Sequence, residues 1–325
     1  MGIDLWNFYD GNTQISYHQA LFLAAQRGFI TKLYYIKSPD GYDTKDCTQL
    51  NPCKTINNIL TKSLPEGFVK GLSISIINLL SETSDQNDIT INSRTELNNI
   101  LTVQSNGYQS GGTEYTKQSI QTQQRDNSLF TISNTVRLKL LGLHFDNLNP
   151  STTNPLISIS TDSDDAPQLQ INDCEFKQNP DSYSTFSLSH SIISINGGIM
   201  KIERTKIQNY KFTNDRSLII IKSDQSSTVT ISQTTFASIV QTGTGNGAAI
   251  NAELSGASKL TIKDSCQFSS CSSATGSGGA IFAQLTDGTI DIDDVTFSTC
   301  NCTQPGNGGA IAIVQEDDGK IIINN

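Results

Sequence analysis

The fold class this 325-residue sequence predicts is all-β, a right-handed parallel β-helix with a small helical cap at its N-terminal end. One phrase recurs near the C-terminus as Gly247-Ala248-Ala249-Ile250, Gly278-Gly279-Ala280-Ile281 and Gly308-Gly309-Ala310-Ile311. The isoleucines stand 31 and then 30 residues apart. A fixed period of that size marks one unit stacked on the next. A second phrase lies between the first, with two apolar residues two apart and an anchor five or six further on. It reads Leu138-x-Leu140 with Phe145, Leu169-x-Ile171 with Phe176, and Met200-x-Ile202 with Ile207. It continues as Val229-x-Ile231 with Phe236, Leu260-x-Ile262 with Phe268, and Ile290-x-Ile292 with Phe297. The anchors step by 31, 31, 29, 32 and 29 residues. Spacing by two is strand geometry, and the gaps are filled by Ser, Asn, Asp, Thr and Gly, the residues of turns.

Each alternative repeat architecture fails on length or composition. Ankyrin, tetratricopeptide and HEAT units are helical, and a propeller blade needs roughly 40 residues or more. A β-sandwich array and disorder are minor alternatives; disordered chains lack regular Ile and Phe columns. With 36% hydrophobic and 16% charged residues, the composition suits a thin core running the length of a rod. Strand-like stretches upstream are Leu72–Ile77, Ile89–Ile91, Ile100–Val103 and Leu129–Ile132. Gly107 to Arg125 reads as a long loop leaving the coil or as a coil with large turns, and shorter excursions are expected at 149–154, 161–168 and 179–189. From residue 70 onward there is room for roughly eight coils at about 4.8 Å each, a rod of about 40 Å.

Residues 1–65 differ and are assigned to a capping segment, with the β-helix spanning 66–325. Ser16 and Gln19 have the spacing of a capping box, Tyr17 to Ala25 show helical spacing, and Gly28 is a stop. Leu33–Ile36 reads as a strand, and a second short helix follows Pro52 with Ile56, Ile59 and Leu60 on one face. An open solenoid end exposes strand edges and core, so a helix is expected to cover it. A seventh copy begins at Lys320, and the chain is expected to be cut inside that coil.

The paired phrases Gly-Gly-Ala-Ile and Phe-x-x-Asn resemble the chlamydial polymorphic outer membrane protein repeat. One complete second phrase, Phe176 to Asn179, is present; the other copies carry Leu148, Tyr210, Ile239, Cys271 and Cys300 at its last position. Tyr35 to Asp43, with Cys47 and Pro52 to Ile56, resembles the start of a pectin-lyase-like β-helix domain. The resemblance covers roughly residues 35–325. It implies the fold, an extracellular or cell-surface location, and a non-catalytic scaffold or adhesin-like role with glycans or surface proteins as partners. The alternative within the same fold is a polysaccharide lyase or glycoside hydrolase.

Chemistry-bearing residues are sparse. The Asn-Thr-Asp, Asp-Asp, Gly-His-Gly and Arg-Ile-Lys phrases of polygalacturonase relatives are not arranged in that way here. His18, His144 and His190 lie far apart and read as packed or solvated. Asp291, Asp293 and Asp294 form one acidic cluster, and Glu316, Asp317 and Asp318 another. Counting along the repeat puts Asp287 and Asp317 one coil apart in the same turn, the best metal candidates. Two carboxylates so placed favour a bound cation such as calcium or a raised pKa; the plainer reading is solvated turn residues, and no cofactor is expected. Asp40 to Asp46 reads as a turn, since it lacks the alternating ligands of a calcium loop. The discriminator between the scaffold and enzyme readings is whether carboxylates converge with a basic residue in one cleft; if three or more do, the scaffold reading is expected to lose.

The seven cysteines have no zinc spacing. Cys47 and Cys53 flank a five-residue loop and suit a small disulfide, which would imply an oxidising exterior. Cys271 and Cys300 fall at one repeat position on neighbouring coils, either as a cross-coil pair or as small residues filling a column. Asn301-Cys302-Thr303 is a lone glycosylation sequon. A net charge of −9 argues against nucleic acid and anionic membranes as partners. No stretch of 18 apolar residues spans a bilayer, and the first residues lack the basic start of a signal peptide.

Overall fold

The computed structural model describes residues 8–10, 13–15, 31–43, 46–63, 74–83, 89–91, 100–121, 127–133, 136–146, 154–161, 166–178 and 187–324. The chain winds into a parallel β-solenoid with three sheets of ten, nine and eight strands running its length. Six consecutive turns, beginning at Arg137, Gln168, Gly198, Ser227, Lys259 and Thr289, each place a strand in every sheet, the last two adding a short second strand to the nine-stranded sheet. Turns before Arg137 are less even, their strands in the ten-stranded sheet beginning at Thr31, Ile74 and Ile100. The estimate of eight coils divides the length by the period of the regular part, and so overcounts coils of that form.

The repeat columns are spatial columns. Leu138, Leu169, Met200, Val229, Leu260 and Ile290 pair in unbroken register in the ten-stranded sheet. All are buried. Phe145, Phe176, Ile207, Phe236, Phe268 and Phe297 do the same in the nine-stranded sheet. Their rings stack, Phe236 on Phe268 at 4.6 Å and Phe268 on Phe297 at 5.0 Å. Each fully buried side chain of this size contributes about 1.5–3 kcal/mol, so the stack is a main source of stability. Between these two columns the chain turns at Gly142, Asp173, Arg204, Gln233, Asp264 and Asp294, all at positive φ. The coil holding Phe268 has a second left-handed residue there, Ser265. That extra residue lies within the 32-residue step.

The glycine phrase forms the lead into the eight-stranded sheet, where Ile219, Ile250, Ile281 and Ile311 stack. A further glycine column precedes it: Gly245, Gly276 and Gly306. A Cβ on Gly276 would strike the Gly245 carbonyl, and one on Gly306 the Gly276 carbonyl. Coil-to-coil approach of the backbone thus excludes any side chain at this corner.

Upstream, the expected strand at Leu33–Ile36 is present as Thr31–Ile36, pairing in parallel with Ile74–Leu79 as the first strand of the ten-stranded sheet. For Gly107 to Arg125 the reading as a coil with large turns holds: the chain returns as strand Gln118–Gln121, pairing with Leu143–Asp146 and burying Ile120. Its polar neighbours hide that one apolar residue. Phe8–Asp10 and Thr13–Ile15 form an antiparallel hairpin that the sequence pattern did not suggest. The expected helix from Ser16 to Gly28 lies outside the described residues, as do most of the three shorter excursions. The helical stretch after Pro52 is present as a single turn, Ile56–Asn58, running into a π-turn, Ile59–Ser63.

Candidate functional site

Outward-facing positions of the eight-stranded sheet build a groove. Inward Ile219 and Ile221 leave Ile220 facing out; inward Ile250, Ala252 and Leu254 leave Asn251 and Glu253 facing out. Ile220 and Asn251 are register partners on adjacent rungs. On one side the wall is the turn carrying Asp215 and Arg216, with Thr244 to Asn246 one coil on. On the other it is the turn carrying Lys222 and Asp224. Together they enclose about 290 Å³.

The walls are fixed by hydrogen bonds. Buried Gln241 donates from Nε2 to the carbonyls of Asn214 (2.6 Å) and Arg216 (3.1 Å) and accepts from the Gly243 N–H. Asn246 Oδ1 accepts from the Ser277 N–H at 2.7 Å. Opposite, Asn196 Nδ2 donates to Asp224 (3.2 Å) while the Gln225 N–H donates back to Asn196 Oδ1. Ser223 Oγ donates to Glu253 at 3.1 Å, and Asp215 pairs with Arg216 at 3.4 Å. The groove therefore presents three carboxylates and two cations on a rigid floor. That meets the number set above for convergence. Asp215, Asp224 and Glu253 are nevertheless solvent-exposed, whereas a carboxyl held as a general acid needs a desolvated setting.

A second hollow lies beside the first rung, between Lys37, Asp40, Tyr42, Leu50 and Pro52. Its one carboxylate, Asp40, is paired with Lys37 at 3.3 Å.

A different ionic cluster sits at the left-handed corner of successive coils. Asp173 accepts from Arg204 Nε at 2.9 Å, from Tyr108 Oη at 2.6 Å and from the Gly111 N–H at 3.3 Å. Arg204 also donates to Ser110 and Glu203. Burial alone would raise the Asp173 pKa, but these donors outweigh it and hold the carboxyl below its ordinary value. Burial pushes the Tyr115 phenol up to about 12. Tyr108 and Tyr115 pack edge-on over Gly142, which has no room for a Cβ. With its acid ionised and paired, this cluster clamps the 106–117 excursion against the coil; it does not offer a proton donor.

The residues picked from sequence are placed as follows. Asp287 and Asp317 occupy the same left-handed turn position, φ 65° and 52°. Asp287 Oδ1 accepts from the Asp318 N–H at 3.4 Å, tying one turn to the next. Among the described residues no three His, Cys, Asp or Glu gather into a metal-binding group. Asp291 pairs with Lys259 at 3.4 Å, and Asp294 accepts from Ser265 at 2.7 Å. Glu316 accepts from Gln284 at 3.2 Å. His144 Nδ1 meets Ser119 Oγ at 3.2 Å, and buried His190 meets the Ser191 carbonyl; His18 lies outside the described residues. Cys47 and Cys53 are joined by a disulfide with Cα atoms 4.8 Å apart. Asp43 accepts from Lys54, Thr55 and the Thr55 hydroxyl, so the acidic turn holds the disulfide loop in place.

Sequence reasoning missed the groove and the clamp. The period itself carried a signal: Asp173 and Arg204 are 31 residues apart, as are Lys222 and Glu253. Applied to charged residues as it was to apolar ones, the same count makes them neighbours.

No protein-family model matches the chain, and no curated protein matches it. Among solved structures, the native GH136 lacto-N-biosidase of Eubacterium ramulus aligns with 94% of this chain and 70% of its own. Identity is 10% and the TM-score 0.31. Its selenomethionine form aligns with 90% and 68%, at 9% identity and a TM-score of 0.28.

Proposed function

We propose that this chain is an extracellular surface β-solenoid that binds a glycan segment in the groove between Asp215 and Glu253. The observation that carries the reading is the convergence of Asp215, Asp224 and Glu253 with Arg216 and Lys222 on the outer face of one sheet. Sugar hydroxyls are taken up by fixed carboxylates and amides, and sugar C–H faces by an apolar patch such as Ile220. Such sites combine a few placed polar groups with apolar walls. With three negative and two positive groups, the groove favours neutral or amino sugars over polyanionic chains. The Cys47–Cys53 disulfide supports an oxidising, extracellular setting. Partners other than glycans remain secondary to the groove chemistry.

Titration calorimetry against a panel of neutral, amino and acidic oligosaccharides tests this. Glu253→Gln and Asp224→Asn should each weaken the bound member roughly tenfold or more, the effect of losing a charge-assisted hydrogen bond. Absence of binding across the panel at millimolar sugar sinks the reading. A second reading, hydrolysis or elimination at the same groove, is favoured by the number of carboxylates it holds. Release of reducing ends or unsaturated uronate, abolished by both substitutions, would replace the first reading with the second.

A further inference from the structure

Cys271 and Cys300 each stand three residues after an anchor phenylalanine, Phe268 and Phe297. The two coils run without offset there. Phe268 pairs with Phe297, Ser269 with Ser298, and Ser272 with Asn301, so Cys271 lies opposite Cys300. Both follow a left-handed corner residue, Ser270 at φ 53° and Thr299 at φ 51°. The corners are tied by the Ser270 N–H to Thr299 Oγ1 at 3.2 Å and the Asn301 N–H to the Cys271 carbonyl at 3.0 Å. Neighbouring strands are about 4.8 Å apart, inside the Cα separation that a disulfide accepts.

The pair is asymmetric. Cys271 is fully buried, whereas Cys300 is half-open to solvent. Cys271 Sγ donates to the Ser269 carbonyl at 3.7 Å, and Cys300 Sγ lies 3.5 Å from the Phe268 carbonyl of the coil before. The facing of the two thiols pulls Cys300 below the ordinary range and, together with burial, pushes Cys271 far up. The same column holds Tyr210 and Ile239 in the two coils before, which therefore offer no thiol there.

We propose that Cys271 and Cys300 are a redox staple: a cross-coil disulfide formed by thiol–disulfide exchange, with Cys300 as the attacking sulfur and Cys271 as the resolving one. The oxidant is a small disulfide of an oxidising compartment, the setting that the Cys47–Cys53 bridge already requires. The Cys300 thiolate attacks one sulfur of that disulfide. Its S–S bond breaks, and one small thiol leaves with the proton. Cys271 then loses its proton and attacks the Cys300 sulfur, and the second small thiol leaves. Two protein thiols and one disulfide become one protein disulfide and two small thiols. The product locks one coil to the next beside the glycine corner.

The test uses the full chain with its Cys47–Cys53 bridge intact, equilibrated in glutathione buffers of increasing oxidising power. Five free thiols are present at the start. Titration after denaturation should find them falling by two, to three, in a single step. Peptide mapping of the unmodified chain should recover Cys271 linked to Cys300. Cys302→Ser should leave that outcome unchanged. Cys271→Ser should stop the reaction at a glutathione adduct on Cys300. Persistence of all five thiols in the most oxidising buffer overturns the staple, as does a Cys300–Cys302 link in the map. Because the map is made on the unmodified chain, a variant that fails to fold does not shield the proposal.

Discussion

Asp173 shows how one residue ties a distant segment to the rod. It accepts from Arg204 one coil on and from Tyr108, 65 positions earlier. Its side chain is 10% exposed. Asp173→Asn should lower the unfolding free energy at neutral pH by about 2 kcal/mol, the range for hydrogen bonds to charged groups. The pH sign follows from the depressed carboxyl. Its contribution is complete above the unfolded value of about 3.9 and is lost as pH falls through the lower folded value. The gap between wild type and variant in urea titrations should therefore close on acidification; equal stability at pH 7 would mean the clamp bears no load. Thiol reactivity is graded by the same physics. Burial pushes Cys174 up to about 12, so iodoacetamide should label half-open Cys300 and Cys302 well before Cys174 in the folded chain. Mass spectrometry of the labelled peptides reads the order.

At the scale of the element, the phenylalanine stack and the glycine corners set stability. Phe268 lies between Phe236 and Phe297 with no exposure. Phe268→Ala should cost about 3–5 kcal/mol, the usual range for emptying an aromatic core site. Gly276→Ala places a methyl against the Gly245 carbonyl and should cost about 1–3 kcal/mol by overpacking; calorimetric or urea unfolding measures both. The ten-stranded-sheet strands from Arg137 onward were legible because inward apolar side chains alternate with mostly polar ones over five or six residues. Strand Gln118–Gln121 was not, since Ile120 is its single apolar residue. A single apolar residue gives no alternation to detect. The hairpin at Phe8–Ile15 has three-residue strands and suffers from the same brevity.

For the whole molecule, each coil touches mainly its neighbours, so stability is close to a sum over coils and interfaces. Phe145 and Phe268 are four rungs apart in the column, about 19 Å at the strand spacing. Their alanine substitutions should add to within about 0.5 kcal/mol, whereas those at Phe236 and Phe268 should show coupling. Strong coupling of the distant pair would mean that the rod unfolds through longer-range strain than stacking supplies.

What the sequence by itself determined is the solenoid, its inward columns and its coil registers. In a solenoid, a residue's spatial neighbour is the one a period further along, so periodicity in the chain is contact in space. The same rule placed Cys271 beside Cys300 and Asp287 beside Asp317. Only the tertiary structure decided which polar groups meet where that rule fails. Arg204 reaches Ser110 across 94 positions because an excursion of the chain folds back on the coil. The groove depends on how far two turns stand out from the sheet on either side of Ile220 and Glu253. Turn lengths vary from coil to coil and carry no repeat, so their heights, and the site between them, emerge only when the coils are stacked.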